Sequence, residues 1–172
     1  MRPDPEDTTA PFTHLTQGSD GQAASKMVDV GEKSITQRIA LARACVQFPS
    51  GVLTRLLQEG GPKGPIQEVA RVAGILASKR TAELIPMCHS LGLDSVEIEF
   101  QPLSEDRLEI RCRAAVQAKT GVEMEAMVGA SMAALTVYDM CKGVHKGIRV
   151  EAVELLEKSG GRSGTWQRSI PN

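Results

Sequence analysis

The chain of 172 residues is poor in aromatics, with three phenylalanines, one tyrosine and one tryptophan. Its formal net charge is only −1. Without a basic excess or an aromatic stacking platform it lacks what a nucleic-acid surface needs. No run of eighteen apolar residues exists, and the acidic start MRPDPEDTTA has no apolar core, so neither a membrane span nor a secretory signal is expected. A cytoplasmic location follows as the expectation. Cysteines are few and scattered: Cys45, Cys88, Cys112 and Cys141 form no CxxC pair and sit in apolar runs, which reads as buried reduced thiols rather than metal ligands.

What is present centres on Thr120 to Lys146, which reads as one long helix. With Val122 as origin, Ala126, Ala130, Ala133, Val137, Cys141 and Val144 share one stripe and should face the core. Met124, Val128, Met132 and Leu135 lie opposite, so the helix should also pack against a second surface, such as another subunit. Thr120 and Glu123 have capping-box spacing. Asp139, Lys142 and Lys146 share a face at the far end, which on spacing alone reads as a solvated salt-bridge stripe. Glu125 and Asp139 point the same way but lie about 21 Å apart at 1.5 Å per residue. If both serve one site, two copies of the helix must contribute.

Around this helix, residues 1–24 read as a loosely attached arm, 25–160 as one domain, and 161–172 as a glycine-rich tail. Ile35 to Phe48 reads as a long strand, with an Ala-rich helix as its rival. Ser50 to Gln58 is helical with Ser50 able to cap it, and Glu59 to Pro65 is a loop by every breaker rule. A helix follows from Pro65 to about Leu84, ending near Lys79-Arg80. Ser95–Gln101 and Leu108–Val116 alternate with period two and form a hairpin, with Glu97 and Glu99 facing the arginines of its second strand. Ile148–Leu156 is a last strand. The order predicts an α+β fold of ferredoxin-like, split β-α-β type: an antiparallel sheet with helices packed on one face.

Singly, the polar residues decide little. His89 beside Cys88 is an unremarkable loop histidine, Lys63 a lysine on a stiff loop, and Gly160-Gly161-Arg162-Ser163-Gly164 an anion wrap or a plain tail. Together, lysines at loop and helix ends (Lys63, Lys79, Lys142, Lys158), the carboxylates Glu123, Glu125 and Asp139, and one imidazole suit a site for a phosphorylated small molecule.

The runs Met27-Val-Asp-Val30, Lys79-Arg-Thr81, Leu84-Ile-Pro-Met-Cys-His89, Thr120-Gly-Val-Glu-Met-Glu-Ala126, Ala133 to Lys142 and Lys158-Ser-Gly-Gly-Arg-Ser-Gly164 resemble the molybdenum cofactor biosynthesis protein C family, the cyclic pyranopterin monophosphate synthases. The resemblance runs from about Phe12 to Arg168. It implies a ferredoxin-like subunit in a hexamer, a trimer of dimers with sites at a subunit interface. It implies conversion of 3′,8-cyclo-7,8-dihydro-GTP, supplied by a radical GTP cyclase, to cyclic pyranopterin monophosphate with release of pyrophosphate. Asp139, Lys142 and Lys63 would be catalytic. His89, Cys88, Glu123, Met124, Glu125, Lys79, Lys158 and Arg38 would bind substrate. No cofactor is required on this reading, and Mg2+ assistance is left open. Asp139 would tune Lys142, whose pKa the clustered cations should depress; which lysine is acid and which base stays open. Pro62 and Pro65, flanking Lys63-Gly64, depart from the family pattern and stiffen that loop. A non-catalytic oligomeric ligand-binding module of the same fold is the alternative.

Overall fold

A computed structural model describes residues 15–17, 22–162 and 164–169 of the chain. Most of the expected N-terminal arm, residues 1–14 and 18–21, lies outside them. The rest of the arm contributes a two-stranded antiparallel ladder, β1 (Leu15–Gln17) with β2 (Ala23–Ser25). Of the C-terminal tail, residue 163 and residues 170–172 lie outside the described part.

The main sheet is built from β3 (Thr36–Gln47), β4 (Ser95–Ser104), β5 (Arg107–Ala118), β6 (Arg149–Ser159) and the short β7 (Trp166–Gln167). Its order is β4-β5-β3-β6-β7 with every neighbouring pair antiparallel. Among the described residues there are four helices: α1 (Val52–Glu59), α2 (Ile66–Ser78), α3 (Thr81–Leu84) and α4 (Glu123–Cys141). The expected α+β, ferredoxin-like architecture is what forms.

Alternation places the strands. Ala40, Ala42, Ala44 and Val46 of β3 and Leu108, Ile110, Cys112, Ala114 and Val116 of β5 are buried on the helix side. The intervening residues make a charged opposite face, where Glu97 stands across from Arg113 and Glu99 from Arg111. Glu109 is buried on that face, its carboxylate held by Arg43 at 3.2 Å and by Arg111. Burial there is sustained because both arginines partner the charge.

The Val122 stripe of α4 faces the core as its spacing predicts: Ala126, Ala130, Ala133, Val137 and Cys141 are all buried. Small residues on this stripe let α4 lie close to the sheet and to α2. At the crossing, a methyl on Gly74 of α2 would sit 2.8 Å from the Gly129 carbonyl oxygen and 3.1 Å from Ala133 Cβ. On its outer side Leu135 stays half-exposed, and Val72 and Leu76 of α2 are exposed as well.

Three local readings need correction. The long helix spans Glu123–Cys141, not Thr120–Lys146, and Thr120 and Glu123 form no capping box: Val122 is the N-cap without a side-chain bond. The Glu123 carboxylate is taken instead by Lys158. Ser50 does not cap α1; Gly51 holds that position with φ 75°, and its N–H donates to Asp106 Oδ1 at 2.8 Å. The helix after Pro65 breaks at Lys79-Arg80 rather than running to Leu84. There Arg80 N–H donates to Ala77 O at 3.0 Å, and Thr81 Oγ1 donates to Ser78 O at 2.9 Å, tightening and ending the turn.

Candidate active site

The expected site residues gather at the two ends of α4. At the C-terminal end, Asp139 accepts from Lys142 Nζ at 2.6 Å, one turn away on the same face, and from Lys63 Nζ at 2.9 Å. Lys63 reaches it from the loop between α1 and α2. That loop closes on itself through a bridge between Gly61 and Gly64, and Gly64 adopts φ 101°. Pro62 and Pro65 bracket the turn, so Lys63 stands on a short rigid finger. All three charged side chains are about half-exposed, open to a ligand from solvent.

The ion pairs set the protonation states. The hydrogen bonds from Lys142 and then Lys63 hold the Asp139 carboxyl down at about 2. In return Asp139 raises Lys142 above the ordinary lysine value. This corrects the expectation that clustered cations depress Lys142. The anion lies in direct contact with the ammonium, and this attraction outweighs repulsion from a second lysine.

At the N-terminal end of α4 a cavity of about 320 Å³ is lined by Cys88, His89, Glu123, Met124 and Glu125, with Lys33 at its edge. The Leu84 to Ser90 exit segment brings Cys88 and His89 to it; the first turn of α4 brings the glutamates. Glu125 is buried, and burial pushes its pKa up, aided by the Glu123 charge. Burial likewise raises the Cys88 thiol, with the Glu125 charge adding to it. Cys88 is therefore a protonated, uncharged lining group near neutral pH.

A polar groove of about 560 Å³ adjoins the cavity and shares Lys33, Thr120, Gly121 and Glu123 with it. Arg38, Lys119, Lys158 and Arg162 supply its positive charge. Lys158 is paired with Glu123 at 2.9 Å. Arg38 donates to the carbonyls of Ala118, Lys119 and Gly160, at 3.3 to 3.4 Å, so it first braces the groove. Its guanidinium keeps N–H donors for an anion. Gly161 lets Arg38 pass, since a Cβ there would lie 2.6 Å from the guanidinium carbon. Lys79 lies on the other side of Glu125, lining a hollow of about 40 Å³ with Ser78, Thr81 and Glu125.

The structure thus brings together His89, Cys88, Glu123, Met124 and Glu125, sets Lys158 and Arg38 beside them and Lys79 behind. Asp139, Lys142 and Lys63 stand apart at the opposite end of α4. Sequence reading missed Lys33 and Lys119 as groove residues. Lys33 follows the Met27-Val-Asp-Val30 run by only three positions, a signal that could have drawn it in; Lys119 had none beyond preceding Thr120. Among the described residues no group of three His, Cys, Asp or Glu side chains could hold a metal.

Arranged this way, the groove can hold several phosphate oxygens. The cavity can seat a polar ring between carboxyls and an imidazole, and the lysine–carboxylate cluster can move protons and offset developing negative charge.

The sequence matches the model of the MoaC family over residues 27–161. It is 51% identical over 162 residues to a cyclic pyranopterin monophosphate synthase of Bordetella avium (strain 197N), covering 94% of this chain and 98% of the relative. Proteins of the same name from Chloroflexus aurantiacus (strain ATCC 29366 / DSM 635 / J-10-fl) and Thermomicrobium roseum (strain ATCC 27502 / DSM 5159 / P-2) are 48% and 49% identical. These alignments cover 91% and 92% of this chain and 94% of each relative.

Proposed function

The chain belongs to the MoaC family, and we infer that its site makes cyclic pyranopterin monophosphate: the protein is a lyase of molybdenum cofactor biosynthesis. Its substrate is 3′,8-cyclo-7,8-dihydro-GTP, supplied by a radical GTP cyclase, and its second product is pyrophosphate. The observation that carries the catalytic assignment is the single carboxylate of Asp139 bridging Lys63 and Lys142 at 2.9 and 2.6 Å.

Making a cyclic monophosphate from a triphosphate requires a hydroxyl of the same molecule to attack the α-phosphorus while pyrophosphate leaves. Negative charge builds on the departing oxygens, and preorganised cations lower that barrier. Arg38, Lys158, Arg162, Lys33 and Lys119 hold the triphosphate in the groove. The purine-derived ring enters the cavity, between His89 and the carboxyls of Glu123 and Glu125. Lys158 exchanges its Glu123 partner for phosphate as substrate binds. Lys79 adds positive charge beside Glu125, and Met124 and Cys88 supply the uncharged wall. Lys142, an ammonium in the free chain, enters as a proton donor; Lys63, across the same carboxylate, is the second proton-transfer group. A magnesium ion assisting pyrophosphate departure would arrive on the triphosphate.

Glu125 and Asp139 stand on one helix about 21 Å apart at 1.5 Å per residue, further than the reacting part of one nucleotide spans. We therefore place the complete site between two copies, one giving the α4 N-terminal end and its groove, the other the Lys63–Asp139–Lys142 cluster. The exposed Val72, Leu76 and Leu135 give the helix layer an apolar surface for such assembly, and the family resemblance points to a hexamer. No helix among the described residues is long and apolar enough to cross a membrane, and we place the enzyme in the cytoplasm, where GTP is made. The reading as a non-catalytic ligand-binding module has no observation in its favour.

Mixing tests the shared site. Lys142→Ala and Glu125→Gln chains, each impaired alone, regain activity when co-assembled, because some interfaces then hold two intact halves. No regain from co-assembled oligomers would place the site within one chain.

A further inference from the structure

We propose that Ser78 is a positioning residue for this reaction, a buried strut that fixes Glu125 relative to Lys79. The proposal rests on the synthase reading above for its catalytic consequence, but its geometry stands independently.

Ser78 is the last residue of α2 and only 1% exposed. A serine in a helix ordinarily turns its hydroxyl back to a carbonyl of its own preceding turn. Ser131 and Thr136 of α4 do so, donating to Met127 O and Met132 O at 2.7 and 2.8 Å. Ser78 does not. Its Oγ crosses to α4 and donates to the backbone oxygen of Glu125 at 2.9 Å, with Cys112 Sγ of β5 3.9 Å away. The crossing is open because position 129 is glycine: a methyl there would collide with Ser78 Oγ and lie 2.6 Å from Cys112 Sγ.

The strut continues on the other side. Thr81, 2% exposed, donates its hydroxyl to Ser78 O at 2.9 Å. One residue therefore holds the first turn of α4 through its side chain and the start of α3 through its carbonyl. Lys79 and Arg80 lie on the short span between the two attachments. Ser78, Lys79, Thr81 and Glu125 border the same small hollow. A shift of α2 against α4 would change the separation of the Lys79 ammonium and the Glu125 carboxyl; the Ser78 hydroxyl opposes it, and the Thr81 hydroxyl fixes the span that carries Lys79 to the end of α2. Ordinary hydrophobic packing could hold two helices together, but it is non-directional and would tolerate sliding; hydrogen bonds fix the register.

The test uses the full chain with Ser78→Ala, Thr81→Val and Thr81→Ser. Steady-state rates are followed over a range of substrate concentrations well below each variant's Tm. A lost buried hydrogen bond is worth roughly a factor of five to ten. Ser78→Ala and Thr81→Val should raise KM by about that factor with kcat within about twofold, while Thr81→Ser, which keeps the hydroxyl, should stay near wild type. An unchanged KM in Ser78→Ala, with only Tm lowered, would overturn the proposal. Amide exchange on the same variants reads the strut without catalysis. Ser78→Ala should lose protection together at residues 79–83 and in the first turn of α4; protection unchanged in either segment would also overturn it. If wild type itself makes no product, the synthase reading fails and the exchange result alone judges the strut.

Discussion

The helix crossing that sets the separation of the site's parts can be perturbed by one methyl group. Gly74→Ala adds a Cβ that would collide with Ile98 Cδ1, lie 2.8 Å from the Gly129 carbonyl oxygen and 3.1 Å from Ala133 Cβ. Ile98 can turn its terminal methyl aside, but the Gly129 oxygen belongs to helix backbone, so α2 and α4 must separate. Replacing glycine in a helix interior by alanine favours folding by about 1 kcal/mol. Forcing a methyl into a closed core costs about 1–3 kcal/mol; backbone contact places this site at the upper end, for a net loss of about 1–2 kcal/mol. For a chain of this size each kcal/mol moves Tm by about 2–4 °C, so a fall of roughly 2–8 °C is expected. Thermal unfolding followed by far-UV circular dichroism measures it. Gly92→Ala is the control, since a methyl there meets nothing within 4 Å, and it should leave Tm unchanged or slightly higher. A Tm for Gly74→Ala equal to or above wild type would refute the close crossing and, with it, the argument that small residues set the helix separation.

Three further outcomes follow from the site. Asp139→Asn should lower kcat on the order of a hundredfold or more, because an amide cannot hold two ammonium groups and preorganised charge is lost; activity within threefold of wild type would dismiss the carboxylate's role. Asp139 also has a pH signature. Its folded pKa is depressed to about 2, so its contribution to stability is complete above the ordinary carboxylate value and disappears as pH falls through about 2. The unfolding midpoints of wild type and Asp139→Asn should therefore draw together in acid, and a difference that is undiminished at pH 2 would contradict the pairing. Glu125 behaves oppositely: burial raises its pKa, so its favourable protonated form is lost as pH rises through that raised value. Glu125→Gln should be more stable than wild type at neutral pH yet impaired in substrate turnover, and a variant that is less stable there would contradict the burial argument.

Much of this was legible because alternation and helical period report burial directly. Leu108, Ile110, Cys112 and Ala114 alternate with Glu109, Arg111 and Arg113, and the Ala126–Cys141 stripe keeps its 3.6-residue repeat; both faces form as spaced. The errors fell where local bonding competed with tertiary bonding. Thr120 and Glu123 have capping-box spacing, but Lys158, thirty-five residues away in sequence, takes the carboxylate. The direction of the Lys142 shift was misread because the count of cations was visible and the 2.6 Å approach of Asp139 was not. Lys119 was invisible as a site residue and Lys33 only hinted at by its place after the Met27 run, because only the fold brings the segment from Glu32 to Arg38, the start of α4 and β6 around one groove. The separation of Glu125 from Asp139, by contrast, needed nothing but the rise of a helix.

The central claim is tested most directly by supplying the purified protein with 3′,8-cyclo-7,8-dihydro-GTP, generated in place by a radical GTP cyclase. Pyrophosphate is followed together with the fluorescent pterin obtained on oxidation. Wild type should release both, while Lys142→Ala should bind the substrate and release neither. Near-normal product formation by Lys142→Ala, or bound and intact substrate with wild type, would contradict the account.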